Sequence, residues 1–153
     1  MDVDETEYRE RYRALNRLPC VFEKALLTRC ADCSRAHRFN LAEREGAACL
    51  SPAAQARCSE WLALLRPSAK FALRLTQVEG PLPHAKELKV QCGGLRGLDS
   101  LVSSAPPAEA RVADIASLLD ASATRYGALG RVPLQEIVKS VSAYEARRRR
   151  PRG

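Results

Sequence analysis

Five of the six cysteines, Cys20, Cys30, Cys33, Cys49 and Cys58, fall within 39 consecutive residues with the spacing C-x9-C-x2-C-x15-C-x8-C. No other feature constrains the fold as much, because clustered thiols must be bridged, ligated or buried. A chain of 153 residues, 46% apolar and 28% charged, fits one domain with a core that needs no covalent staple. There is no apolar run of the roughly eighteen residues a membrane span requires. The start Met1-Asp2-Val3-Asp4-Glu5 is acidic, whereas a secretory leader is basic and then apolar. These features point to the cytoplasm, where clustered thiols more often serve metals or redox chemistry than structural disulfides.

The periodicity predicts a mainly α fold. Residues 1–18 read as a charged N-terminal helix with Tyr8, Tyr12 and Leu15 on one side. Residues 19–102 read as a helical cysteine region: one helix from Pro19 to about Arg29, a second capped by Ser34 and running to about Ala47, and a third opened by Ser51-Pro52. This third helix should end before Pro67, with Ala54, Cys58, Trp61 and Leu65 on one stripe. Phe71, Leu73 and Leu75, then Leu88, Val90 and Cys92, alternate with more polar residues and predict a β-hairpin over about 70–92. Residues 103–108 form a Pro/Ser/Ala linker, and 109–146 a pair of C-terminal helices in the same domain. Residues 147–153 form a basic tail expected to be disordered. From Glu145 onward the chain carries five arginines and one glutamate, +4 of the total +7, leaving +3 elsewhere. The basic balance is thus weak support for a nucleic-acid-binding domain.

Soft thiolates suit both zinc and iron–sulfur clusters, and four satisfy either one. Cys30-x2-Cys33 is a pair that one peptide segment can offer, while Cys20 and Cys49 lie near expected helix starts that favour a thiolate. One C-x2-C and three separated cysteines match neither a bacterial ferredoxin run nor a pair of zinc knuckles. The wide spread favours a cluster, [4Fe–4S] before zinc, since a cluster collects ligands from separate helices. If residues 20–30 were one straight helix, Cys20 and Cys30 would stand about 15 Å apart and could not share a centre. Two quartets follow, Cys33, Cys49 and Cys58 with either Cys20 or Cys30. Five thiols filling core positions is the competing reading.

His37 makes Cys30-x2-Cys33-x3-His37 a conceivable zinc trio, but a lone histidine beside arginines is usually exposed. Gly94-Leu95-Arg96-Gly97 matches the bare GxxG of RNA-clamping loops, though a tight turn with close backbone approach explains it better. Cys92 lies far along the chain from the other five. No phosphate loop, nucleophile elbow or metalloprotease helix is present, and Glu43 and Glu45 form no acid/base pair, so catalysis is not expected.

The runs Cys20-Val21-Phe22-Glu23-Lys24-Ala25-Leu26, Leu41-Ala42-Glu43-Arg44-Glu45 and Leu82-Pro83-His84 through Gln91-Cys92-Gly93-Gly94-Leu95 resemble a small cysteine-bearing proteobacterial family. The resemblance covers about residues 19–127 and implies no fold, activity or ligand set.

Three functional expectations follow. The first is a small iron–sulfur protein for electron transfer, redox sensing or an accessory role beside a larger enzyme, with a protein redox partner. The second is a zinc-stabilised module that binds protein, or nucleic acid through Arg147–Arg152. The third is a metal-free helical adaptor with buried thiols.

Overall fold

The computed structural model describes residues 2–74, 82–103 and 111–145. Among the described residues the fold is mainly α with one antiparallel hairpin. Its elements run α1 (Asp2–Leu15), α2 (Glu23–Leu27), β1 (Ala36–Leu41), β2 (Arg44–Cys49), α3 (Pro52–Ala72), α4 (His84–Leu88), a π-helical turn (Lys89–Gly93), α5 (Gly94–Val102), α6 (Ile115–Tyr126) and α7 (Leu134–Ala143). Among the described residues no helix is long and apolar enough to cross a membrane. The expected tail, residues 147–153, and most of the linker lie outside the described residues.

Among the described residues the hairpin occupies 36–49, and those of 70–74 and 82–92 hold no strand. Ala36 pairs with Cys49 and Leu41 with Arg44, so the turn consists of Ala42 and Glu43, both left-handed at φ 50° and 67°. Two positive-φ central residues make the tight connection whose twist suits a hairpin, normally filled by Asn-Gly or Asp-Gly. Ala-Glu carries no such signature, which is why this stretch reads as helix. Gly46 accepts the Phe39 ring opposite it, since a Cβ there would lie 2.5 Å from Phe39 Cζ.

The helix expected over Pro19–Arg29 shrinks to the five residues of α2. Residues 18–20 instead run along β2: Cys49 N–H donates to Leu18 O at 2.8 Å, Cys20 N–H to Ala47 O at 3.0 Å, and Pro19 bridges Ala48. A proline without N–H is tolerated at such an edge. The described residues of the segment from Phe71 to Cys92 are also corrected, Leu75 lying outside them. Phe71 lies in α3, and Leu88, Val90 and Cys92 lie in α4 and the π turn. Val90, Gln91, Cys92 and Gly93 are all buried, and a helix buried all round shows no clean helical stripe.

Ser51 caps α3 as expected, its Oγ accepting from Ala54 N–H at 3.2 Å. The helix passes through Pro67 rather than stopping before it. Pro67 and Ala63, the residue four earlier whose carbonyl loses its donor, are both exposed, so water can take the bond. Buried Ala69 then continues the stripe of Trp61, Leu62 and Leu65.

One contiguous core draws on residues from Phe22 to Tyr144. Gly93 and Gly97 are not a loop; they bring the π turn and α5 onto α7. A Cβ on Gly93 would meet Val141 Cα at 2.7 Å, and one on Gly97 would meet Ser140 at 3.0 Å. Gly94 faces Leu65 of α3. Gln91 ties the π turn to α2, accepting from Ala25 N–H at 3.1 Å and donating to Glu87, which pairs with Arg66 at 2.7 Å.

Candidate functional site

Cys20, Cys33, Cys49 and Cys58 are free thiols around one pocket, each delivered by a different part of the chain. Cys20 follows the Pro19 bridge, Cys33 lies in the loop before β1, Cys49 ends β2, and Cys58 sits two turns into α3. The hairpin fold makes this possible. The register Ala36↔Cys49 returns residue 49 to the neighbourhood of residues 33–36, and pairing of 18–20 with β2 adds Cys20.

Val21, Phe22, Ala36, Ala54, Ile115 and Ala116 make the walls largely apolar, and Arg35 and Gln55 complete the lining. The free volume is about 20 Å³, room for about one water. Cys20, Cys33 and Cys58 also pack against the main core. Cys33 Sγ accepts from Arg35 N–H at 3.5 Å. Cys49 differs, its thiol donating to Ser51 O at 3.1 Å.

Burial is the main influence on three of these thiols, since a low-dielectric surround disfavours the thiolate. It pushes Cys20 and Cys58 up to about 12 and raises Cys33, while backbone N–H groups partly offset this at Cys20 and Cys33. Negative charge on the neighbouring sulfurs adds to the rise at each. In the protein as folded these three are neutral thiols at pH 7.

Cys30 stands apart from the other candidates. It is disulfide-linked to Cys92 across a Cα–Cα distance of 6.1 Å, with Cys30 8% and Cys92 0% exposed. Of the two quartets open to sequence reasoning, only the one with Cys20 surrounds a single pocket. His37, exposed on β1, does not line it. Among the described residues, no three His, Cys, Asp or Glu side chains stand as a group that could hold a metal ion as now placed.

The wall from α6 had no signal in the sequence. Ile115 and Ala116 arrive because the chain at Cys30–Asp32 pairs with Val112, through Val112 N–H to Cys30 O at 3.1 Å and Asp32 N–H to Val112 O at 2.9 Å. Asp114 then caps α6 by accepting from Ala116 N–H at 3.2 Å and also accepts from Ser34 N–H at 2.9 Å. These bonds latch the Cys33 loop to the start of α6. Comparison with protein-family models, curated proteins and solved structures found no match.

Proposed function

We propose that Cys20, Cys33, Cys49 and Cys58 hold an iron–sulfur cluster, [4Fe–4S] in preference, in a small cytoplasmic protein for electron transfer, redox sensing or support of a larger enzyme. The observation carrying this reading is the convergence of four free thiols from four chain segments on one largely apolar pocket. The donor types suit such a group: four soft ligands around a largely apolar pocket, with Arg35 N–H donating to Cys33 Sγ. Ligands drawn from four separate chain segments suit a polynuclear group better than a single zinc ion. Loading requires the side chains to turn, because the present free volume is about 20 Å³. The cluster would supply one-electron chemistry to a protein redox partner. The chain's own contribution is to hold the thiolates, donate N–H bonds to sulfur and exclude solvent.

A metal-free helical adaptor is the second reading, favoured by the burial that keeps Cys20, Cys33 and Cys58 protonated. Anaerobic purification followed by assay of iron, acid-labile sulfide and zinc separates the readings. Matched iron and sulfide with broad visible absorption is the expected result. About one zinc per chain would move the assignment to a zinc-stabilised interaction module. Absence of both metals after reconstitution would leave the adaptor.

A further inference from the structure

A second cleft lies between α2, α3, α4 and the π turn, with a volume of about 530 Å³. Clefts that take small ligands span roughly 300–1,000 Å³. Charges of both signs line it, Lys24, Arg66 and Lys70 beside Glu23 and Glu87. Glu87 is 7% exposed, and one of its two oxygens makes all its bonds. Oε1 accepts from Arg66 at 2.7 Å and from Gln91 Nε2 at 3.1 Å, and Gln91 is itself fixed by Ala25 N–H. Oε2 has no partner among the described residues, yet the sealed polar atoms without one are Asn16 Oδ1, Trp61 Nε1 and Arg96 Nε. Oε2 is therefore open, and the space beside Glu87 is the cleft. A carboxylate oxygen set so deep and left open is matched by a charged donor.

Glu23 repeats the arrangement. Its Oε2 accepts from the Tyr12 hydroxyl and from Ala47 N–H, which leaves Oε1 without a partner among the described residues. On the cationic side Arg66 is spent on Glu87, whereas the ammonium groups of Lys24 and Lys70 have no partner among the described residues. Val21 and Leu82 add an apolar part to the lining.

We propose that this cleft binds a small zwitterion, an α-amino acid with an apolar side chain. Its ammonium is met by Glu87 Oε2 and Glu23 Oε1, its carboxylate by Lys24 and Lys70, and its side chain by Val21 and Leu82. A simple anion would face two carboxylates, and a simple cation three positive groups. A molecule carrying both signs complements both. The inference is independent of the iron–sulfur reading, since no thiol lines this cleft and Val21 is the one described residue it shares with the thiol pocket.

The test is calorimetric titration of the full chain with L-leucine, L-methionine and L-phenylalanine, then with two analogues of leucine. The analogues are 4-methylpentanoate, which lacks the ammonium, and 3-methylbutylamine, which lacks the carboxylate. At least one amino acid should saturate the protein below about 10 mM, and both analogues should bind at least about tenfold more weakly than leucine. Lys24→Ala and Lys70→Ala should weaken the amino acid about tenfold with unchanged circular dichroism, while Lys139→Ala, outside the cleft on α7, binds as wild type. Glu87→Gln should weaken the amino acid and leave 4-methylpentanoate unaffected. If Glu87→Gln fails to fold, the analogues and the two lysine variants decide alone. No saturation by any of the three amino acids, analogues that bind as well as leucine, or lysine variants that bind as wild type overturn the inference. Metal content does not enter the readout, so this inference and the iron–sulfur reading fail separately.

Discussion

At the residue scale, the protonation state of three thiols sets how the site responds to pH. Cys20 and Cys58 are pushed from an ordinary 9.0 up to about 12, and Cys33 is raised, chiefly by burial. The unfolded chain ionises at the ordinary value and the folded one only higher. The stabilisation from keeping these thiols neutral is therefore complete below about pH 9 and is lost as pH climbs from there towards 12. Thermal melts of the metal-free protein should show a falling Tm over that window, and Cys58→Ala should make the fall shallower. Metal uptake runs the other way, since each ligand must shed a proton, so loading should tighten as pH rises towards 9. The cysteine types were plain in the sequence, but their inequality was not. Arg35 N–H and Ser51 O lie only two residues from Cys33 and Cys49, so what the sequence hid is the burial of Cys20, Cys33 and Cys58 against segments from elsewhere in the chain.

At the scale of elements, local signals succeeded where one side chain acts on its own backbone. Ser51-Pro52 is such a case, and the helix starts there through the Ser51 Oγ bond to Ala54 N–H. They failed where packing outweighed local preference. Ala42 and Glu43 both hold positive φ in the hairpin turn, at about 1–2 kcal/mol per residue for non-glycine side chains. Replacing the pair with Asn-Gly should raise stability by about 1–2 kcal/mol in chemical denaturation, because those residues accept this geometry. An unchanged or lower midpoint would mean that Ala42 or Glu43 supplies a compensating contact. The α3 stop expected before Pro67 failed for a related reason: the lost hydrogen bond faces water, and buried Ala69 lies beyond it. The four buried residues in a row across the π turn imitate a strand because both patterns defeat a single helical stripe.

For the molecule as a whole, the longest covalent constraint joins the loop bearing Cys33 to the helical layer that carries the core. Cys30 and Cys92 are separated by 62 residues, and closing a loop of that size removes about 4 kcal/mol of unfolded-state entropy in the chain-entropy description. Converting both to alanine should cost about 2–4 kcal/mol by equilibrium unfolding. The thiol pocket should survive, because the Val112 pairing and the Asp114 bonds hold the Cys33 loop independently. Sequence alone determined the predominance of helix, the α3 start and the gathering of thiols in one stretch, since these follow from composition and short-range spacing. It also showed that Cys20 and Cys30 would part company if helix separated them. The structure parts them by a different route, placing Cys20 along β2 and turning Cys30 into the core towards Cys92. Only the tertiary structure decided which four thiols share a pocket and that α6 closes it. Those outcomes depend on strand register and on contacts between residues some eighty positions apart, such as Ser34 with Asp114, which no local pattern encodes.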